Sequence, residues 1–316
     1  MGLPSDDVLK GFRQAAGLPA PGVTLGGWCA RDSYTVFGQW LQSMARTNGE
    51  IIAVVRRMLG ELNVSHVDFF LAPEKPPVTY TTDIITWRQL SPQTGYLKIR
   101  DFDAGSVRAS GFFSLLDQAM IELRDCPSLI VDLRGNRGGS IDATLRATNY
   151  FLPDRRTVLY AATRAGLVRN QAETLDQINP AALPTAEAGG GSVTAAIGRQ
   201  GAVAITAAGT GRQAYKGTLA LLVDEKCYSG CELFAAILKE SRSATLIGRA
   251  TGGEVPGANV VVFNKNMVIF HPSTRWRLRM PTIDFRTAGK MKLEGQGISP
   301  DIVVTRLLSG DADMYG

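Results

Sequence analysis

Thr218-Leu219-Ala220-Leu221-Leu222-Val223-Asp224-Glu225-Lys226-Cys227-Tyr228-Ser229-Gly230-Cys231-Glu232-Leu233-Phe234-Ala235-Ala236 decides how this chain is read. The first half is an apolar run of strand length. The second half reads as a helix with Leu233, Ala236 and Ile237 along one face. A tight turn between strand and helix pushes the Ser229 hydroxyl out of the sheet, beside the positive end of the helix. Free backbone N–H groups there can hold an oxyanion. A nucleophilic serine needs such a place, so an acyl-transferring hydrolase is the first expectation. The turn is not the lipase-type elbow, which wants glycine two residues before and after the serine. Cys227 and Cys231 stand there instead. The competing reading is that Ser229 only caps the helix, a common use of serine.

Working outward, 316 residues can bury a large core and predict one large domain with a smaller one. A composition of 45% hydrophobic and 20% charged residues fits a soluble globular chain, and no apolar run reaches membrane-spanning length. Met1–Asp7 has no basic segment leading into an apolar one, so no signal peptide is expected; export is expected only if a leader was trimmed. The net charge is +5, but Arg and Lys are scattered. The densest patch, Arg275-Trp276-Arg277-Leu278-Arg279, alternates basic and apolar residues. That predicts a strand with one solvated face and argues against a nucleic-acid partner, which would call for charge clustered on a helix or groove.

Cys29, Cys126, Cys227 and Cys231 form no C-x-x-C pair, and the two histidines lie far from them in sequence. A zinc site is therefore not expected. Cys227 and Cys231 read as small packing residues beside Ser229.

Residues 1–72 look mostly helical: Asn48 is a candidate N-cap, followed at helical spacing by Ile51, Ile52, Val55, Met58, Leu59 and Leu62. Pro73, Pro76 and Pro77 mark a boundary, so 73–94 is expected as linker and strand entry and 95–316 as an α/β core. Gly95–Arg100 reads as a strand. Ser110 is expected to cap a helix with Phe112, Leu115, Leu116, Ala119, Met120 and Leu123 on one face. Ser128–Leu133 reads as a buried strand entering a Gly-rich turn, and this βαβ order argues for an α/β fold. Residues 165–215, rich in Ala, Gly and Thr, are expected as an insertion with a flexible part.

A serine hydroxyl barely ionises at neutral pH and needs a base. His66 follows Ser65, whose hydroxyl could orient the imidazole; His271 lies in an apolar stretch. Either histidine taken alone reads as a structural residue first. In Asp132-Leu133-Arg134-Gly135-Asn136-Arg137-Gly138-Gly139, consecutive glycines after a strand let backbone N–H groups approach a reacting oxygen. Taken alone, that segment also reads as a surface turn. Glu294, before Gly295-Gln296-Gly297-Ile298-Ser299-Pro300-Asp301, reads in isolation as a solvated carboxylate.

Together these segments resemble one family. The order runs Ser65-His66, Gly95–Ile99, Asp132–Gly139, Tyr228–Ala235, Ile247–Gly253 and Gly297–Asp301 over roughly residues 48–305. It is similar to that of the tail-specific, or C-terminal-processing, serine peptidases, and more similar to their tricorn-core and retinoid-binding-protein-like branch. The resemblance implies a ClpP- or crotonase-like core of ββα units, a small N-terminal helical bundle and no PDZ module, for which there is no room before residue 95. It implies Ser229 as nucleophile, with the Gly230 amide and an amide at Gly138 or Gly139 as oxyanion hole. Where the processing branch carries an activating lysine, this chain has Glu254. The resemblance therefore implies the tricorn-like arrangement: His66 as base, supported by Ser65 and Glu294, with no metal or organic cofactor. The expected substrate is a peptide. An ester substrate for the same residues, or non-enzymatic binding of an apolar ligand on the same fold, are the alternatives.

Overall fold

The computed structural model describes residues 49–50, 52–53, 56, 68–71, 83–103, 111–187, 192–255, 257–262 and 276–304. Ser65, His66 and His271, and most of the expected N-terminal helical bundle, lie outside the described residues. The chain divides into two compact units, residues 1–78 with 258–282 and residues 79–257 with 283–316. In the first, β1 (Asp68–Leu71) is a strand within the region expected to be helical; it pairs antiparallel with Trp276–Arg279. Trp276–Arg279 of the alternating basic–apolar patch thus lies in a strand.

The second unit begins with β2 (Ile85–Ser91) and β3 (Thr94–Ile99), an antiparallel pair. The segment between β1 and β2 is too short for a PDZ module. α1 (Phe112–Leu123) follows, burying Phe112, Leu116, Ala119, Met120 and Leu123 as the helical spacing predicts. The residue at its cap is Gly111, with φ 70°, rather than the expected Ser110, which is outside the described residues. The remaining elements of the chain are β4 (Ser128–Asp132), α2 (Ile141–Asn149), β5 (Arg156–Thr163), α3 (Arg164–Arg169), β6 (Thr185–Glu187), α4 (Val193–Gln200), β7 (Ala202–Ala207), β8 (Thr218–Val223), α5 (Gly230–Glu240), β9 (Thr245–Gly248), β10 (Gly257–Val262), β11 (Trp276–Thr287) and β12 (Ile302–Val303), with the parts of β10 and β11 within residues 258–282 falling in the first unit.

The central sheet has the order β12-β9-β8-β4-β3-β2, with every neighbouring pair parallel except β2 and β3. Its register aligns Leu97, Val131, Leu221 and Leu246 in one row across four strands, all fully buried. This row is the floor of the core. α5 is buried along nearly its whole length, from Gly230 to Leu238. Such burial suits a helix apolar on nearly every side, with Glu232 its one fully buried charged residue. Phe234 in α5 meets Phe102 at 6.0 Å and Phe151 at 5.9 Å between ring centroids. Phe102 lies just past β3, so the aromatic cluster ties the start of α5 to the ends of the central strands.

Residues 165–215 supply much of a second layer. β7 is buried at every residue and pairs antiparallel with β5 and parallel with β6. On the other side, β5 pairs antiparallel with Ile283–Thr287 of β11. Two sheets with interposed helices make the unit α/β, as the alternation of strand and helix periods predicts. No helix among the described residues is long and apolar enough to cross a membrane.

Candidate active site

β8 ends at Val223 and α5 begins at Gly230, so Ser229 sits on the expected strand–turn–helix corner, half-buried. Ser229 and Glu232 form a capping box, and the Glu232 carboxylate accepts the Ser229 N–H at 3.1 Å. The cap reading is therefore true as far as it goes. It does not account for the backbone. The capping serines of α2 and α4, Ser140 and Ser192, are extended, at φ −66° and −72°. Ser229 has φ 54° and ψ −119°. A non-glycine residue there is strained, and such strain clusters at functional sites. Two acceptors hold the Ser229 N–H: the Glu232 carboxylate and the Glu254 carbonyl, the latter at 2.8 Å.

The glycine turn after β4 meets this corner. Its entry is fixed by Asp132, which accepts from the Arg134 guanidinium and backbone, from the Tyr96 hydroxyl at 2.7 Å and from Lys98 at 3.2 Å. Burial pushes the Asp132 carboxyl up, but the Arg134 hydrogen bonds and the Lys98 charge outweigh it and hold it below the usual range. Asn136 then organises the turn. Fully buried, it donates to the Ile99 carbonyl and accepts the Gly138 N–H at 2.7 Å. Its own carbonyl accepts the Tyr228 N–H, one residue before Ser229.

Close packing follows. Gly138 has φ 80°, and a Cβ placed on it would lie 2.5 Å from the Gly230 nitrogen. A Cβ on Gly230 would lie 3.2 Å from the Gly139 nitrogen and 2.8 Å from the Thr144 hydroxyl. The structure thus brings Ser229, Gly230, Gly138 and Gly139 together. Among these amides, that of Gly138 is taken by Asn136, whereas those of Gly139 and Gly230 have no hydrogen-bond partner among the described residues. Gly139 leads into α2 and Gly230 opens α5, so the positive ends of two helices converge beside the Ser229 side chain.

Glu294 is half-buried, and its carboxylate accepts the Val255 N–H at 3.0 Å. Gly295 donates to the Gly253 carbonyl, so this segment lies along the 251–255 loop that also holds Ser229. Glu254, at the position of the processing branch's lysine, acts on Ser229 through its backbone. Cys227 and Cys231 are fully buried, and burial together with the neighbouring Cys227 raises the Cys231 thiol well above its usual range. Both side chains pack at the corner, as expected. Sequence reasoning missed Asn136 and Glu232. Glu232 had a local signal, the S-x-x-E capping-box spacing; Asn136 had none beyond its place in the turn.

The sequence pattern of peptidase family S41 matches residues 93–304, and the chain belongs to that family. It is a serine-type peptidase, as the order of motifs implied. Solved structures share the fold at low identity. A candidate peptidase from Parabacteroides merdae is 17% identical, with a TM-score of 0.57 over 98% of this chain and 91% of that one. A lipoprotein from Streptococcus agalactiae is 14% identical, with a TM-score of 0.56 over 100% and 97%. The photosystem II D1 C-terminal processing protease is 19% identical, with a TM-score of 0.45 over 76% of this chain and 48% of that protein, about half its length. No curated protein sequence matches the chain.

Proposed function

We propose that this peptidase cleaves peptide bonds through a Ser229 acyl-enzyme. The observation that carries the reading is the positive-φ backbone of Ser229 beside the two unengaged amides of Gly139 and Gly230. Ser229 Oγ attacks the scissile carbonyl carbon while His66 takes its proton. The carbonyl oxygen becomes an oxyanion, which the Gly139 and Gly230 N–H groups stabilise. Gly138, its own amide already engaged, makes the close approach possible. The C–N bond then breaks, and His66 returns the proton to the leaving amine. Water repeats the sequence on the acyl-enzyme and releases the new carboxylate. Ser65 and Glu294 hold and polarise His66. The roles of His66, Ser65 and Glu294 rest on their match to the family's motif order.

A peptide rather than an ester substrate follows from the family. The test is to incubate a peptide library with wild type and Ser229→Ala and read the cleavage products by mass spectrometry. Discrete cleavages by wild type that vanish in Ser229→Ala support the reading. Unchanged cleavage by Ser229→Ala contradicts it.

A further inference from the structure

Glu232 is a fully buried carboxylate three residues past Ser229, and every hydrogen bond it makes joins elements of this corner. One oxygen, Oε2, accepts the N–H of Ser229 at 3.1 Å and of Glu254 at 3.0 Å. The other, Oε1, accepts the Thr251 hydroxyl at 2.5 Å and the Gly253 N–H at 2.8 Å. The Thr251 hydroxyl in turn accepts the Ile298 N–H at 2.8 Å. One side chain thereby gathers three segments that sequence analysis singled out: Tyr228–Ala235, Ile247–Gly253 and Gly297–Asp301. The last two have no other part in the chemistry above. Its charge sits in the first turn of α5, where the helix favours an anion.

We infer that Glu232 is a positioning residue, which with Thr251 holds the Ser229 backbone in its strained conformation so that the hydroxyl and the Gly230 amide face the substrate together. An ordinary N-cap geometry would relieve the positive φ, and the two acceptors on the Ser229 N–H oppose that relaxation. Glutamine cannot replace the glutamate. Each carboxylate oxygen accepts at least one backbone N–H, so the glutamine NH2 would face a fixed donor in either orientation. This inference rests on Ser229 as nucleophile.

The test compares wild type, Glu232→Gln, Thr251→Val and Thr251→Ser. It measures the rate constant for labelling by a fluorophosphonate, the fraction finally labelled, and kcat and KM on a cleaved peptide. Glu232→Gln is expected to lower the labelling rate constant and kcat by about 10²-fold with KM little changed, the effect of misplacing a reacting group by about 1 Å. Thr251→Val is expected to lower both by roughly tenfold, and Thr251→Ser, which keeps the hydroxyl, to restore them. If Glu232→Gln fails to fold, the Thr251 pair decides. Variants that label at the wild-type rate constant and lose only labelled fraction or thermal stability would overturn the inference, leaving Glu232 a purely structural role. Failure of the underlying reading is distinct: wild type would then not be labelled at Ser229 at all, and both would fall.

Discussion

Gly138 packs directly on Ser229: a methyl group there would come within 2.8 Å of Ser229 Cβ and 2.4 Å of the Tyr228 carbonyl oxygen. The contact joins the turn after β4 to the corner before α5. With φ at 80°, Gly138→Ala would meet backbone strain as well as collision. The substitution is expected to lower kcat by about 10²-fold or more and stability by roughly 1–3 kcal/mol. Steady-state kinetics and thermal unfolding measure the two effects separately. Wild-type kcat in Gly138→Ala would mean that this turn does not abut the working serine.

The base separates the tricorn-like arrangement from a serine–lysine dyad. His66→Ala is expected to be nearly as damaging as loss of Ser229, because such residues act as a unit. Lys226→Ala and Lys239→Ala should be mild. Lys239 is engaged elsewhere, with the Ser299 carbonyl at 2.6 Å and Asp301 at 2.8 Å. A histidine base works unprotonated, so kcat/KM should rise with pH through roughly 6–7. A rise confined to alkaline pH, with His66→Ala active, would point to lysine.

Glu294→Gln keeps an acceptor for the Val255 N–H and removes the charge. A carboxylate that stabilises the charged imidazole acts indirectly, so kcat should fall less than in His66→Ala while KM barely moves. Kinetics at one pH suffice. An unchanged kcat would remove Glu294 from the site and leave Ser229 and His66 in place.

Asp132 gives a pH dependence of stability. Its carboxyl is held below its ordinary value, so its contribution is complete above the unfolded pKa, about 3.9, and is lost as pH falls through the lower folded value. Asp132→Asn strands Lys98 and Arg134 around a neutral group and should cost about 3–5 kcal/mol at pH 7. Denaturant unfolding from pH 7 down to pH 3 should show the gap to wild type narrowing below about pH 4. A gap independent of pH would assign the loss to packing.

What the sequence made legible was local. The change from apolar run to helical period fixed the corner at Ser229, and the paired glycines marked a turn that touches it. The helical spacing from Phe112 to Leu123 predicted the buried face of α1, with Leu115 alone of the six only partly buried. Strand β7 was obscured because Ala-Val-Ala-Ile-Thr-Ala is buried on both faces and so lacks alternation, and alanine carries little strand preference. The positive φ of Ser229 was invisible for another reason. One of the two acceptors on its N–H, the Glu254 carbonyl, is distant in sequence, and no pattern within the turn encodes it. Asn136 was hidden likewise, since its partners Ile99 and Tyr228 come from other elements.

Covalent capture tests whether Ser229 is the nucleophile. Native protein is treated with a fluorophosphonate, digested and mapped by mass spectrometry, with Ser229→Ala treated in parallel. One adduct per chain is expected, on the peptide carrying Tyr228-Ser229-Gly230, and none in Ser229→Ala, together with loss of peptide cleavage in step with labelling. An adduct on a different residue, or labelling and cleavage that survive in Ser229→Ala, would contradict it.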